Sequence, residues 1–328
     1  MFDDQTYRLF SVKSNRSNVY VTRLAPSPTG ALHLGNARTF LLAWLRARAA
    51  GGRVILRVED LDHPKVKPAA VAEIYADLRW LGLDWDEGDD CPTGNAPYAQ
   101  SKRLPLYREA LTKLRGDLYP CVCSRADIEN AQLAPHAGEE LFYPNTCRDK
   151  KIPPAQINDK TAWRFIAPAG EREFIDNFRG RERADLQQFS GDFVVARGAT
   201  PAYQLACVVD DAAMGVTEVI RGDDLALSTF RQLALYDALN LSPPQFLHLP
   251  LLVGADGRRL AKRHGDTRLA TLRQAGISPQ KVVGYLARIS GLSAGQPATP
   301  AALIAGFDLA KIPRGAVTVA DANGGFFL

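Results

Sequence analysis

The chain lacks any apolar run approaching the ~20 residues that a bilayer-spanning helix needs. Its first eighteen residues, MFDDQTYRLFSVKSNRSN, lack the apolar stretch of a signal peptide. These absences argue against a membrane helix and an export signal, and predict a cytoplasmic location. Five cysteines, an odd number, exclude a complete disulfide framework. No internal repeat or low-complexity tract is present, which excludes a solenoid. Two familiar phosphate-binding patterns are also missing. Gly30 and Gly35 have Walker spacing, but Asn36 stands where lysine is required, and the dinucleotide glycine fingerprint is absent.

What is present suits a globular protein with a packed core. The 328 residues are 46% hydrophobic, ample for one large core or two smaller ones. Net charge is +4 and the isoelectric point about 8.8, a balance compatible with a polyanionic partner. The segment from Asn18 to Leu24 reads as a strand and is followed by a Pro-Ser-Pro-Thr-Gly loop. An amphipathic helix is predicted from about Asn36 to Ala50, ended by Gly51 and Gly52. Val54 to Val58 is an apolar strand interrupted only by Arg57. Strand, helix and strand in so short a span form a parallel βαβ unit. A second helix is predicted over Pro68–Leu81. The stretch 86–200 is rich in Pro, Gly, charge and cysteine, with weak strand signals, and reads as an insertion. Strands are expected again at Tyr203–Val209 and Val216–Arg221, then a helix near Ser228–Leu239 and a strand at Gln245–Val253. The fold class is therefore α/β, with a Rossmann-like parallel sheet.

In open α/β sheets ligands gather at the carboxyl ends of strands, against helix N-termini. Pro26 to Asn36 lies at such a place, with Gly30 and Gly35 permitting close backbone approach and His33 and Asn36 supplying donors. A second candidate follows the strand at Gln245–Val253, in the basic run Arg258-Arg259-Leu260-Ala261-Lys262-Arg263. Three cysteines fall within 27 residues: Cys121, Cys123 and, after 23 intervening residues, Cys147. Thiolates so spaced suit tetrahedral zinc, and His136 is the ordinary chemical choice for a fourth ligand.

The string from Arg23 through Leu24-Ala25-Pro26-Ser27-Pro28-Thr29-Gly30 to His33-Leu34-Gly35-Asn36 closely resembles the first signature of class I glutamyl- and glutaminyl-tRNA synthetases, where the motif is called HIGH. Arg259-Leu260-Ala261-Lys262-Arg263 resembles the family's KMSKS signature, with Arg259 and Ala261 departing from it. The resemblance implies a class I synthetase catalytic domain that binds ATP, with Mg, through Pro26, His33, Gly35, Asn36, Arg259 and Lys262. Of these, His33, Asn36 and Lys262 would act in catalysis. It also implies an amino-acid pocket for L-glutamate from Arg23, Leu24, Ala25, Pro26, Ser27, Glu59, Tyr203 and Arg221.

Tyr143-Pro144-Asn145-Thr146-Cys147-Arg148 is similar to the zinc module of the glutamyl-Q tRNA(Asp) synthetase branch, in which a tyrosine completes the site. That makes Tyr143 the family-based fourth ligand of one zinc per chain. The expected organisation is an extension at 1–17, a first catalytic half at 18–85, and an inserted zinc-bearing subdomain at 86–200. A second catalytic half follows at 201–265, then a short helical region at 266–328. Only 65 residues follow Arg263, which the resemblance reads as lacking an anticodon-binding domain. The activity implied is tRNA-independent formation of glutamyl-adenylate and transfer of glutamate to queuosine in the anticodon arm of tRNA(Asp). Two alternatives stay open: a truncated glutamyl-tRNA synthetase charging tRNA(Glu), and a non-catalytic tRNA-binding paralogue.

Overall fold

Four short strands, almost wholly buried, form the centre of a computed structural model that describes residues 19–61, 66, 68–131, 142–258, 260 and 267–319. In chain order the elements begin with β1 (Val21–Leu24), α1 (Leu34–Ala49), β2 (Arg53–Leu56), α2 (Pro68–Leu81), α3 (Leu104–Lys113), β3 (Leu118–Cys121) and α4 (Arg125–Ala131). Next come β4 (Ala162–Phe165), β5 (Glu171–Asp176), β6 (Gly180–Asp185), α5 (Leu186–Phe189), β7 (Phe193–Arg197) and β8 (Thr200–Pro201). The remainder is α6 (Tyr203–Ala213), β9 (Glu218–Gly222), α7 (Ala226–Ala238), β10 (Gln245–Leu249), β11 (Leu252–Val253), α8 (Leu269–Gln274), α9 (Pro279–Ile289), α10 (Pro300–Leu303) and β12 (Val317–Thr318).

β1 and β2 pair in parallel across the α1 crossover. β9, β10 and β5 also run parallel, with β6 antiparallel at the edge. β1 lies beside β9: Thr217 N donates to Val21 O at 2.9 Å, and Thr22 Oγ1 to Glu218 O at 2.8 Å. Alternation along the strands sends side chains to two cores. Val54 and Leu56 join Leu41, Leu45 and Leu286 on one side; Ile55 joins Tyr107, Leu205 and Val209 on the other. Helices cover both faces, as a parallel sheet requires. Each fully buried Leu or Val contributes about 2 kcal/mol.

The run from Tyr203 to Val209, expected as a strand, is instead part of helix α6. Nearly all its residues from Leu205 onward are buried, so the apolar run carries no periodicity to separate strand from helix. Inside the stretch read as an insertion, strand signals were weak, yet it holds six strands. β3, β4, β7 and β8 form an antiparallel sheet of their own, while the β5–β6 hairpin joins the central sheet through Asp176 and Phe246. Alternating charged residues such as Glu171, Arg172, Glu173 and Arg183 disguised that hairpin.

Candidate active site and cysteine cluster

The loop after β1 runs along the carboxyl ends of the strands and meets α1. His33 is the helix N-cap: its Nδ1 accepts from Gly35 N at 3.0 Å, while Asn36 Oδ1 accepts from His33 N at 3.2 Å. The two signature residues thus cap the helix reciprocally. A Cβ on Gly35 would sit 2.8 Å from the His33 ring, so a larger residue there would push the capping ring aside. The segment after the second basic loop is pinned to this one, with Leu34 N donating to Thr267 O and Leu269 N to Leu32 O. Leu260 and Thr267 therefore bring both ends of that loop to the first signature. Arg259 and Lys262 themselves lie outside the described residues.

Between these elements is a cavity of about 540 Å³. It gathers Arg23, Ala25, Pro26, Ser27, His33, Gly35, Asn36, Glu59, Tyr203 and Arg221, all singled out from sequence. Leu24 is different: its side chain is fully buried in the core and does not line the cavity.

Under the cavity floor lies a charge network that sequence reading missed. Arg57 Nη1 donates to Asp211 Oδ1 at 2.6 Å, and its Nη2 to Glu59 Oε1 at 3.1 Å. Arg23 Nε reaches the same Asp211 oxygen at 3.2 Å. The neighbouring Asp210 accepts from Arg103, Gln100 and Tyr107. Burial would raise the Asp211 carboxyl, but Arg57 and Arg23 hold it below the ordinary carboxylate range. The Cys207 thiol, donating to Glu59 at 3.5 Å, is pushed well up by burial and by that carboxylate, so it stays neutral. One signal for this network was available: Arg57 and Asp210-Asp211 are charges set in or at the end of apolar runs, where a buried partner is required.

Arg221 is held differently. Its Nε donates to His248 Nε2 at 3.0 Å, its Nη2 to Thr229 Oγ1 at 2.8 Å and its Nη1 to Tyr203 Oη at 3.3 Å. No carboxylate is among these hydrogen-bond partners. Arg23 and Arg57 already face acids; Arg221 presents its charge to the cavity through neutral contacts.

The second cluster is built on the antiparallel sheet. The sulfurs of Cys121, at the end of β3, Cys123 and Cys147 all lie within 4.8 Å of one another. Cys123 Sγ and Cys147 Sγ are 3.5 Å apart, too far for a disulfide. Tyr143 Oη lies 3.3 Å from Cys121 Sγ and accepts from Cys147 N at 2.9 Å. His136 lies outside the described residues. Asp192, fully buried, ties the frame together by accepting from Tyr119, Arg148 and Ala167 N. Gly191, at φ +63°, packs against the Tyr143 carbonyl; a Cβ there would come within 1.9 Å of it. Burial and the adjacent sulfurs push the Cys123 thiol up to about 12. Three crowded sulfurs beside a phenol oxygen fit a single divalent cation with soft-donor preference.

Among the described residues no helix is long and apolar enough to cross a membrane. Residues 19–298 match the family model described as tRNA synthetases class I (E and Q), catalytic domain. The chain is 52% identical over 320 residues to a glutamyl-Q tRNA(Asp) synthetase of Symbiobacterium thermophilum, covering 92% of this chain and 98% of that protein. It is 50% identical to one from Rhodopirellula baltica, covering 83% of this chain and 85% of that one. A crystal structure of a glutamate tRNA ligase from Elizabethkingia meningosepticum, in complex with its amino acid, superposes with a TM-score of 0.78. That match has 25% identity and covers 92% of this chain and 67% of the ligase. With most of its length inside the matched family model and its signature loop at the mouth of the cavity, the chain belongs to the class I glutamyl- and glutaminyl-tRNA synthetase catalytic-domain family.

Proposed function

We propose that this chain activates L-glutamate with ATP, without needing tRNA, and transfers it to queuosine in the anticodon arm of tRNA(Asp). The carrying observation is the cavity that unites the first signature, Arg23, Glu59 and Arg221 with Tyr203 from the start of α6. Its support from relatives is the pair of glutamyl-Q tRNA(Asp) synthetases at 50–52% identity.

In the first step an α-carboxylate oxygen of glutamate attacks the α-phosphorus of ATP, and pyrophosphate leaves. Negative charge grows on the departing group. Donors at the N-terminus of α1, with Arg259 and Lys262 from the second loop, stabilise it there. Mg bound with ATP would supply further countercharge to the phosphates. Arg221 offers its fork to a substrate carboxylate, while Glu59 and Tyr203 frame the remaining pocket with Ala25, Pro26 and Ser27. In the second step a cyclopentene hydroxyl of queuosine attacks the adenylate carbonyl and AMP leaves, giving an ester.

Cys121, Cys123, Cys147 and Tyr143 would hold one zinc. Those four residues would tie β3 to the 143–148 turn through the ion, whose role would be structural. The enzyme works in the cytoplasm, and its RNA contacts are mainly electrostatic, weakening as salt rises.

The test uses radiolabelled glutamate, ATP and the enzyme. A tRNA(Asp) anticodon stem-loop carrying queuosine should take up alkali-labile label, and the same stem-loop with guanosine should not. Label on intact tRNA(Glu), with none on the queuosine stem-loop, would replace this reading with tRNA(Glu) charging.

A further inference from the structure

Arginine has five N–H donors and no acceptor. A ring nitrogen that receives a hydrogen bond from arginine must therefore carry no proton. His248 Nε2 is such an atom, 3.0 Å from Arg221 Nε. The ring proton must then sit on Nδ1, which lies 2.6 Å from Asp176 Oδ2. Donor and acceptor counting fixes the tautomer, and the order of the relay is Asp176, His248, Arg221.

The surroundings leave the ring little choice. His248 and Asp176 are both wholly buried. Asp176, at the end of β5, is itself anchored by the backbone N–H groups of Phe178, Arg179 and His248. Thr229 from α7 lies 3.2 Å from the same Nε2. The rings of Phe246 and Phe174 stack against or abut the imidazole. Burial, opposed by Asp176 and reinforced by Arg221, lowers the affinity of His248 for a second proton.

We propose that His248, oriented by Asp176, is a positioning residue that aims the Arg221 guanidinium into the cavity and leaves it without a hydrogen-bonded carboxylate of the protein, ready for the amino-acid carboxylate. A histidine does this where a carboxylate would not. Aspartate or glutamate at position 248 would fix the arginine equally well but neutralise it, and the substrate would then compete with an internal anion. A neutral imidazole accepts the hydrogen bond and leaves the charge available. The β5–β6 hairpin, which supplies Asp176, thereby acquires a task in amino-acid recognition although it contributes no residue to the cavity lining. This inference rests on the glutamate reading of the cavity.

The experiment is tRNA-free pyrophosphate exchange on the full chain, with KM for glutamate, KM for ATP and kcat measured separately. His248→Phe should raise the glutamate KM by about ten-fold or more, because a misaimed arginine no longer meets the carboxylate in its binding geometry, with the ATP KM little changed. His248→Gln offers an amide that can donate to Asp176 and accept from Arg221, and should recover most of the loss. An unchanged glutamate KM in His248→Phe overturns the proposal. Equal rises in the glutamate and ATP constants for both variants also overturn it, because they indicate general disruption. Absence of glutamate-dependent exchange in the unaltered enzyme would instead remove the glutamate reading itself. If His248→Phe does not fold, nitrogen NMR of histidine-labelled enzyme decides. A neutral Nδ1–H ring at pH 7 supports the relay, and an Nε2–H or doubly protonated ring overturns it.

Discussion

Arg57 donates to Asp211 at 2.6 Å with the arginine side chain fully buried and the aspartate only 5% exposed. The pair lies beneath the cavity, and Arg23 leans on the same carboxylate. Asp211→Asn would leave two arginines facing one acid fewer. Breaking a buried pair by removing one partner costs about 3–5 kcal/mol, and urea unfolding should show a loss of that size. A loss below about 1 kcal/mol would mean that water or rearrangement compensates the pair.

The cysteine cluster makes a separate prediction. Elemental analysis of the purified chain should find about one zinc per molecule, as a closed site of three thiolates and a phenol oxygen implies. Cys123→Ser should lose the metal, and chelation should lower the melting temperature. Retention of zinc in Tyr143→Phe, with its loss in His136→Ala, would transfer the fourth position to the histidine.

Lys262 follows Leu260 by two residues, and Leu260 lines the cavity. The lysine belongs to the second basic signature, and a cation on the leaving pyrophosphate acts chiefly in the transition state. Lys262→Ala should slow adenylate formation by about 100-fold and leave the melting temperature where it was. An unaltered exchange rate removes Lys262 from the mechanism.

Asp77, on α2, is fully buried, and neither carboxyl oxygen has a hydrogen bond. Arg273 Nη1 is 3.0 Å from Oδ1. Burial, opposed by Arg273 and aided by Glu73, raises this carboxyl from 3.8 to about 6. The folded state therefore binds the proton more tightly than the unfolded state. Stability from this group falls as pH rises from about 4 to about 6, and the penalty is complete above that. Asp77→Asn should stabilise the protein at pH 8, by on the order of 2 kcal/mol, and confer almost nothing at pH 4. Equal shifts in melting temperature at both pH values would contradict this account.

Local chemistry was written openly in the chain. The loop from Pro26 could be placed between a strand and a helix because Pro and Gly break one element; the helix, expected from about Asn36, starts at Leu34 with His33 as its cap. The βαβ unit was visible because an amphipathic helix has a period that a strand cannot imitate. The cysteine pattern pointed to a cluster, and the three sulfurs meet within 4.8 Å although 23 residues separate Cys123 from Cys147. Helix α6 was misread for the opposite reason: its apolar residues are buried nearly all round, so no pattern survives.

The sequence by itself determined which residue types stand at the strand ends, and with them the kind of substrate the cavity can hold. Only the tertiary structure decided which charges remain available there. Arg23, Arg57 and Arg221 look equivalent along the chain, yet Asp211 comes from 154 positions beyond Arg57 and satisfies two of them. Arg221 receives the neutral ring of His248, whose own proton is held by Asp176 from 72 positions earlier. Charge compensation depends on distances of about 3 Å in space, and nothing in the local pattern of a chain records which distant acid will come that close.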